Sequence, residues 1–270
     1  MWIAHLRKVP VVVNYRGGEA PDFLARSHAW VRRSMNRVDR LVVPSRFLEG
    51  VFAEHGMQAQ VVPNIVDLAR FRPGTARASS SPHLVVARNL EPIYDNETAL
   101  RAFDIVLQRF PTATLTLSGS GPEEGSLRAV ATSLRVADRV RFAGRLDRDG
   151  MAALYRSADV VLNPSLADNM PNSVLEAMAC GVPVVSTNVG GIAYMVEDEV
   201  SALLVPPQAP QSMAAAAIRL LQDAPLRAAL AAAARQEVER YTWSRVAPVL
   251  ASLYRSAMAR PGKASPVNAS

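Results

Sequence analysis

The sequence predicts an α/β protein in two unequal parts, a partial Rossmann-like domain followed by a complete, doubly wound one. Three observations carry this. Short β-branched runs alternate with helical patterns almost without interruption, which marks βαβ units and a parallel sheet. The later part supplies six such strands, enough for a whole doubly wound sheet, and the earlier part only three. Between them, residues 64–82 (NIVDLARFRPGTARASSSP) lose hydrophobic periodicity to Pro, Gly, Ser and Arg, so a domain boundary falls there.

Along the chain, strands are predicted at PVVVN (10–14), RLVVP (40–44) and QVVP (60–63). Helices are predicted near 22–36 and 46–55, with Gly56 as a left-handed cap on the second. Parallel strands are apolar on both faces and need cover on both. Three strands and two helices do not provide it, so residues 1–63 read as the end of a domain whose beginning is absent. Past the boundary the strands are HLVVA (83–87), ATLTLS (113–118), RVRFAG (139–144), DVVLNP (159–164), PVVST (183–187) and ALLVP (202–206). Ala and Leu content and spacing then predict helices at 211–222, 225–241 and 243–259, with PGKASPVNAS as a frayed tail.

Composition narrows the function. A chain of 270 residues, 49% apolar and 20% charged, has a soluble globular composition. No apolar run approaches a membrane span, and the opening MWIAHLRKVPVVVNY lacks the apolar core and cleavage site of a signal peptide, so a cytoplasmic protein is expected. A single cysteine, Cys180, excludes an internal disulfide, and His5, His28, His55 and His83 are too scattered for a metal site. The net charge of +6 is concentrated in residues 1–40, where Arg7, Lys8, Arg16, Arg26, Arg32, Arg33, Arg37 and Arg40 face only Glu19, Asp22 and Asp39. Two readings of that stretch stand: a solvated helix face, or attraction to anionic lipid head groups or a pyrophosphate-bearing partner. Nucleic acid ranks below both, because there is no recognition motif and no interleaving of aromatics with the basic residues.

Ligands of doubly wound sheets sit beyond the carboxyl ends of the strands, where helix N-termini offer free N–H groups. Gly119-Ser120-Gly121-Pro122 follows such a strand; its glycines permit close approach to a phosphate, and it is equally an ordinary tight turn. Residues 167–191 (ADNMPNSVLEAMACGVPVVSTNVGG) form the stronger candidate. Pro171 breaks the chain there, the N–H groups of residues 173–175 should point into one cleft, and Asp168 and Glu176 flank the break. Ser173-x-x-Glu176 also reads as a capping box, with Glu176 turned back onto the Ser173 amide and a stabilisation of about 1 kcal/mol. From the local pattern both readings remain open.

The D-x(7)-E segment, followed by A-M-A-C-G-V-P-V-V-S-T-N-V-G-G and A-L-L-V-P-P, resembles the E-x(7)-E region of the retaining glycosyltransferases of group 1, family 4, which have the two-domain GT-B fold. V-V-A-R-N-L, L-S-G-S-G-P, V-R-F-A-G-R-L, L-Y-R-S-A-D-V-V-L-N-P-S and the late Y-T-W resemble further family landmarks in family order, and V-P-N-I-V-D-L-A-R-F-R-P resembles the hinge region. The resemblance covers residues 10–260 and implies a nucleoside diphosphate sugar as donor. Under it Glu176 would bind the ribose hydroxyls, and Asp168, in place of the commoner glutamate, would meet the sugar. The backbone at Asn169, Met170, Pro171, Asn172, Ser173 and Val174 would hold the diphosphate and hexose, Pro171 contributing no N–H. Arg88 would bind phosphate, Gly119 and Gly121 would belong to the donor site, and Leu146 would touch the base. No metal and no cofactor are implied. The implied division is 1–75 as a remnant of the acceptor-side domain with the hinge, 76–242 as the nucleotide-sugar domain, 243–260 as a helix crossing back, and 261–270 as a disordered tail.

Three departures stand out. A lysine usually follows the arginine, whereas this chain offers Ile93, Tyr94 and Asp95. Tyr194 stands where many members carry an acid, and nothing in residues 1–20 matches the family's glycine-rich loop or its histidine near the acceptor. The implied function is transfer of a sugar with retention to a cell-surface polysaccharide or glycolipid acceptor, saccharide or lipid-linked, with peripheral contact at the inner face of the membrane through residues 1–40. Beside it stand an inactive or partner-completed nucleotide-binding fragment and a sugar-nucleotide epimerase.

Overall fold

A computed structural model describes residues 2–74 and 81–259. Two parallel sheets organise the chain. The smaller joins β1 (Val12–Asn14), β2 (Arg40–Val43) and β3 (Ala59–Val61) in that order, with Val13 opposite Leu41 and Val42 opposite Gln60. Its helices are α1 (Trp2–Leu6), absent from the sequence reading, α2 (Ala20–Met35) and α3 (Arg46–Glu54). Ser45 caps α3 by accepting from the Leu48 N–H at 3.3 Å, and Gly56 follows the helix with φ 71°, the left-handed position predicted for it. One sheet face is closed by α2 and α3, where Leu24, Val31, Leu41, Val43, Leu48 and Phe52 are buried together.

The face expected to lack cover does not lack it. Val246 and Leu253 of a helix from the far end of the chain, Trp243–Ala259, pack there against Val42 and Val62, and Arg40 Nε donates to Ser256 Oγ at 3.2 Å. The count of neighbouring helices left out the helix at 243–260 that the resemblance implies crosses back, because that element arrives long after the strands it covers.

The larger sheet is built from β4 (His83–Ala87), α4 (Asn96–Arg109), β5 (Thr114–Ser118), α5 (Glu124–Ser133), β6 (Val140–Gly144), α6 (Arg148–Ser157), β7 (Val160–Asn163), α7 (Asn172–Ala179), β8 (Val184–Thr187) and β9 (Leu203–Val205). Then come α8 (Pro210–Gln222), α9 (Ala224–Glu237) and the returning helix, α10. The strand order is β6-β5-β4-β7-β8-β9, all parallel, so the order reverses between β4 and β7, as a doubly wound sheet requires. Leu84, Val85, Val86, Val160, Val161 and Leu162 are buried because helices cover both faces. One face joins Phe103, Leu127 and Met213, the other Tyr155, Val174 and Met178.

The helix predicted to run to 241 ends at Glu237 and passes into a tighter turn, Val238–Tyr241, with Val238 buried. The two passages between the sheets lie side by side, with the Val66 N–H donating to the Tyr241 carbonyl at 2.9 Å. Residues 75–80 of the boundary and the tail at 261–270 lie outside the described residues.

Candidate functional site

The loops leaving β4 and β7 meet where the strand order reverses, the place at which such sheets open a crevice. Arg88 follows β4 directly. Its Nη2 forms an ion pair with Asp168 Oδ2, Nη1 donates to Ser173 Oγ at 3.2 Å, and the guanidinium carbon lies 4.1 Å from the centre of the Tyr94 ring. Both partners of the ion pair are nearly buried, with the Arg88 side chain 10% and the Asp168 side chain 12% exposed. Arg88 Nε is buried without a partner.

The three residues that replace the usual lysine have other work. Tyr94 gives the guanidinium an aromatic face. Asp95, at φ 41°, caps α4 by accepting from the Thr98 N–H at 3.3 Å and its hydroxyl at 2.7 Å. The Ile93 carbonyl accepts from the Leu166 N–H at 2.8 Å, which ties the β4 and β7 loops together.

Beneath Asp168 lies a buried polar network. Asn163 Nδ2 donates to Ser186 Oγ at 2.9 Å, the Ser165 hydroxyl to Asn163 Oδ1 at 3.1 Å, and the Thr187 hydroxyl to the Ser165 carbonyl at 2.6 Å. Satisfied networks of this kind fix a loop in one conformation. Burial pushes the Asp168 carboxyl above the usual aspartate value, while the Arg88 guanidinium and the Asn169 N–H hold it back.

Pro171 precedes α7 and accepts at its carbonyl from the Leu175 N–H at 3.2 Å. The amides left open at the helix start are therefore those of Asn172, Ser173 and Val174, one residue earlier than the sequence places them. The capping box does not form. The helix begins at Asn172, so Ser173 lies inside the first turn, where its hydroxyl receives Arg88. Glu176 accepts instead from the Tyr155 hydroxyl, at 3.2 Å to Oε2. Burial pushes the Glu176 carboxyl up to about 7, with the Tyr155 hydroxyl and the Arg148 charge pulling the other way.

The glycines serve close approach between strands of backbone. A Cβ on Gly119, at φ 145°, would run into the Arg88 carbonyl, and one on Gly121 into the Leu90 carbonyl. Gly190 and Gly191 stand in the same relation to the carbonyls of Asp168 and Asn169. Gly119 and Gly121 thus seat the Arg88 loop. Leu146 is partly buried against the cluster that holds Tyr155 and Leu175.

The β7 loop also touches the smaller sheet's part of the chain. Asn64 Nδ2 donates to the Met170 carbonyl at 2.7 Å, Asn64 Oδ1 accepts from Arg16, and Asn169 Nδ2 donates to the carbonyls of Arg16 and Gly17. Beside Asp168 a cleft of about 440 Å3 opens between Gly18, Glu19 and Phe47 on one side and Ile93, Ala167 and Gly190 on the other. A larger hollow of about 760 Å3, lined by Tyr194, Glu197 and Arg240 among others, contains none of the sequence-predicted site residues. Among the described residues no three His, Cys, Asp or Glu side chains gather as metal ligands.

The fold therefore brings Arg88, Asp168, Ser173 and the open start of α7 into one place, with Glu176 a turn further along the helix. Sequence reasoning missed Tyr155, Tyr94 and Asn64 as parts of the site. Tyr155 lies in the quoted L-Y-R-S-A-D run, but its helical spacing reads as core and nothing local aims its hydroxyl. Chemically, the arrangement offers a guanidinium and three amides for an anion, with two carboxylates able to accept hydroxyls.

The profile described as "Glycosyl transferases group 1" matches residues 81–223, and that described as "Glycosyltransferase Family 4" matches residues 1–70. A D-inositol 3-phosphate glycosyltransferase of Saccharomonospora viridis is 36% identical over 211 residues, 72% of this chain and 49% of that protein. The protein of that name from Segniliparus rotundus is 31% identical over 98% of this chain and 62% of its own length. The chain spans about half to three-fifths of the length of these curated relatives. Among solved structures, a sucrose-phosphate synthase from Thermosynechococcus elongatus superposes with a TM-score of 0.83 at 25% identity, covering 96% of this chain and 71% of that one. Anabaena HepE in complex with UDP and glucose gives 0.85 at 20% identity, over 94% and 73%, and carries the likeness of fold.

Proposed function

The chain belongs to the glycosyltransferases of group 1, family 4, and from that premise we propose that it transfers a sugar from a nucleoside diphosphate sugar, with retention of configuration, to a polysaccharide or glycolipid acceptor of the cell surface. The observation that carries the proposal is the convergence of Arg88, Asp168 and Ser173 at the open N-terminus of α7, with Glu176 one turn on. In this reading the α7 amides and Arg88 take the diphosphate, and their charge stabilises it as it leaves. Asp168, now paired with Arg88, accepts sugar hydroxyls, and Glu176 accepts the ribose pair. The leaving diphosphate assists attack on its own face, and no metal ion or other cofactor takes part. The cleft beside Asp168 admits the acceptor. The UDP and glucose held by HepE and the inositol phosphate in the relatives' names support a sugar-nucleotide donor and a hydroxylated acceptor.

The test is calorimetric titration with UDP, GDP and ADP on the wild type and on Glu176→Ala. Binding of one nucleotide, lost in the variant, is expected. Absence of binding to all three overturns the proposal.

Peripheral attachment to an anionic membrane belongs to the same proposal. Phe23, Arg26, Trp30 and Arg33 recur at helical spacing on one exposed face of α2, apolar anchors beside cationic heads. Salt-sensitive co-sedimentation with phosphatidylglycerol vesicles, reduced by Trp30→Ala, is expected; equal binding to neutral vesicles counts against it. A second reading, a nucleotide-binding module completed by another polypeptide, is favoured by the exposure of Ile3 and Leu6, at 72% and 79%. Turnover of a donor sugar by a monomeric fraction argues against that reading.

A further inference from the structure

We propose that Tyr155 is a positioning residue for Glu176: its buried hydroxyl holds the carboxylate in place to accept the hydroxyl pair of a ribose. The inference rests on the nucleotide-sugar reading above and deepens it.

Among the described residues Tyr155 is the largest side chain with no solvent exposure. It projects from α6, with its ring edge-on to Phe71 at 6.2 Å, and its hydroxyl meets Glu176 Oε2. A core position at the α6–α7 contact is filled as well by phenylalanine, so the hydroxyl is what needs an explanation. A buried phenol requires a partner, and the partner here is a carboxylate of the candidate site. With Oε2 engaged, Oε1 has no hydrogen bond among the described residues and is left to a ligand. Burial beside Glu176 and Cys180 pushes the Tyr155 phenol well above its ordinary value, so it remains a donor at every working pH. The bond favours the ionised carboxylate, as does Arg148 from α6, and burial opposes it. The other charged or titratable groups around this contact are Arg88, which acts on Tyr155, and Arg156 and Arg235, which act on Cys180 one turn along α7.

The experiment compares wild type with Tyr155→Phe in two ways. Carbon-13 NMR of glutamate-labelled, nucleotide-free protein follows the Glu176 carboxyl, assigned by its absence in Glu176→Gln. Loss of the hydroxyl is expected to move its midpoint upward by about one pH unit. Calorimetry at pH 7 with whichever of UDP, GDP and ADP the wild type binds is expected to show about tenfold weaker binding in Tyr155→Phe and no further loss when the change is made in Glu176→Gln. An unmoved midpoint overturns the proposal, and so does an equal loss of that nucleotide's affinity in both backgrounds. If wild type binds none of UDP, GDP and ADP, the donor reading fails, and the NMR midpoint still decides whether Tyr155 governs Glu176. Should Tyr155→Phe not fold, 3-fluorotyrosine at position 155, a more acidic donor, is expected to move the midpoint down; no movement overturns the proposal.

Discussion

Replacing Glu176 by glutamine is expected to stabilise the protein at alkaline pH while weakening, not abolishing, its nucleotide affinity. The carboxyl titrates near 7 in the folded chain against an ordinary value of 4.5, because burial disfavours its charge. A raised folded value means that this group's contribution to stability is fully present below 4.5 and is lost as the pH rises through 7. At 1.36 kcal/mol per unit, the wild type forfeits about 2–3 kcal/mol from this residue between pH 5 and pH 8. Glutamine keeps the shape, accepts the Tyr155 hydroxyl and does not ionise. Urea unfolding of both proteins at pH 5, 6, 7 and 8 reads the difference directly. Asp168 is shifted in the same direction but is present in both, so it cancels in the comparison. The stability gain of Glu176→Gln over wild type should grow from pH 5 to pH 7 and level off above it. A difference that stays constant with pH refutes the reasoning, since Glu176 would then pay no desolvation penalty.

Other perturbations test other parts of the site. Arg88→Met leaves Asp168 buried without its counter-charge and should cost about 3–5 kcal/mol in urea unfolding, with much of the loss recovered on adding Asp168→Asn; no recovery means the pair is not the cause. Gly190→Ala drives a methyl group into the Asp168 carbonyl at φ 52° and should lower stability by about 1–3 kcal/mol and weaken UDP binding by calorimetry, whereas unchanged affinity places the loop outside the nucleotide site. Cys180, buried and with its thiol pushed up to about 11, should resist an aromatic disulfide reagent at pH 8 in the native state and react at once in urea; fast native reaction contradicts the packing around α7.

The fold was legible where it depends on short-range pattern. β-Branched runs between helical segments located all nine strands of the described residues, because a parallel sheet covered on both faces writes itself as continuous apolar runs. Asp168 and Glu176 were legible as a pair because one proline break and one helix start bring them near the same end of β7. The capping box was misread because its pattern says nothing of where the helix begins, and a start at Asn172 puts Ser173 inside the first turn.

What the sequence by itself determined is the strands of both sheets, the doubly wound class of the larger part, and the loops that carry the candidate site. Each follows from contacts within a few residues or from the handedness of βαβ connections. Tertiary structure alone decided the rest. It set Arg88 on Asp168, and turned a core tyrosine from α6 onto Glu176. These are meetings of residues tens of positions apart, and the free energy that selects them is burial shared by the whole core, which no local window of sequence contains.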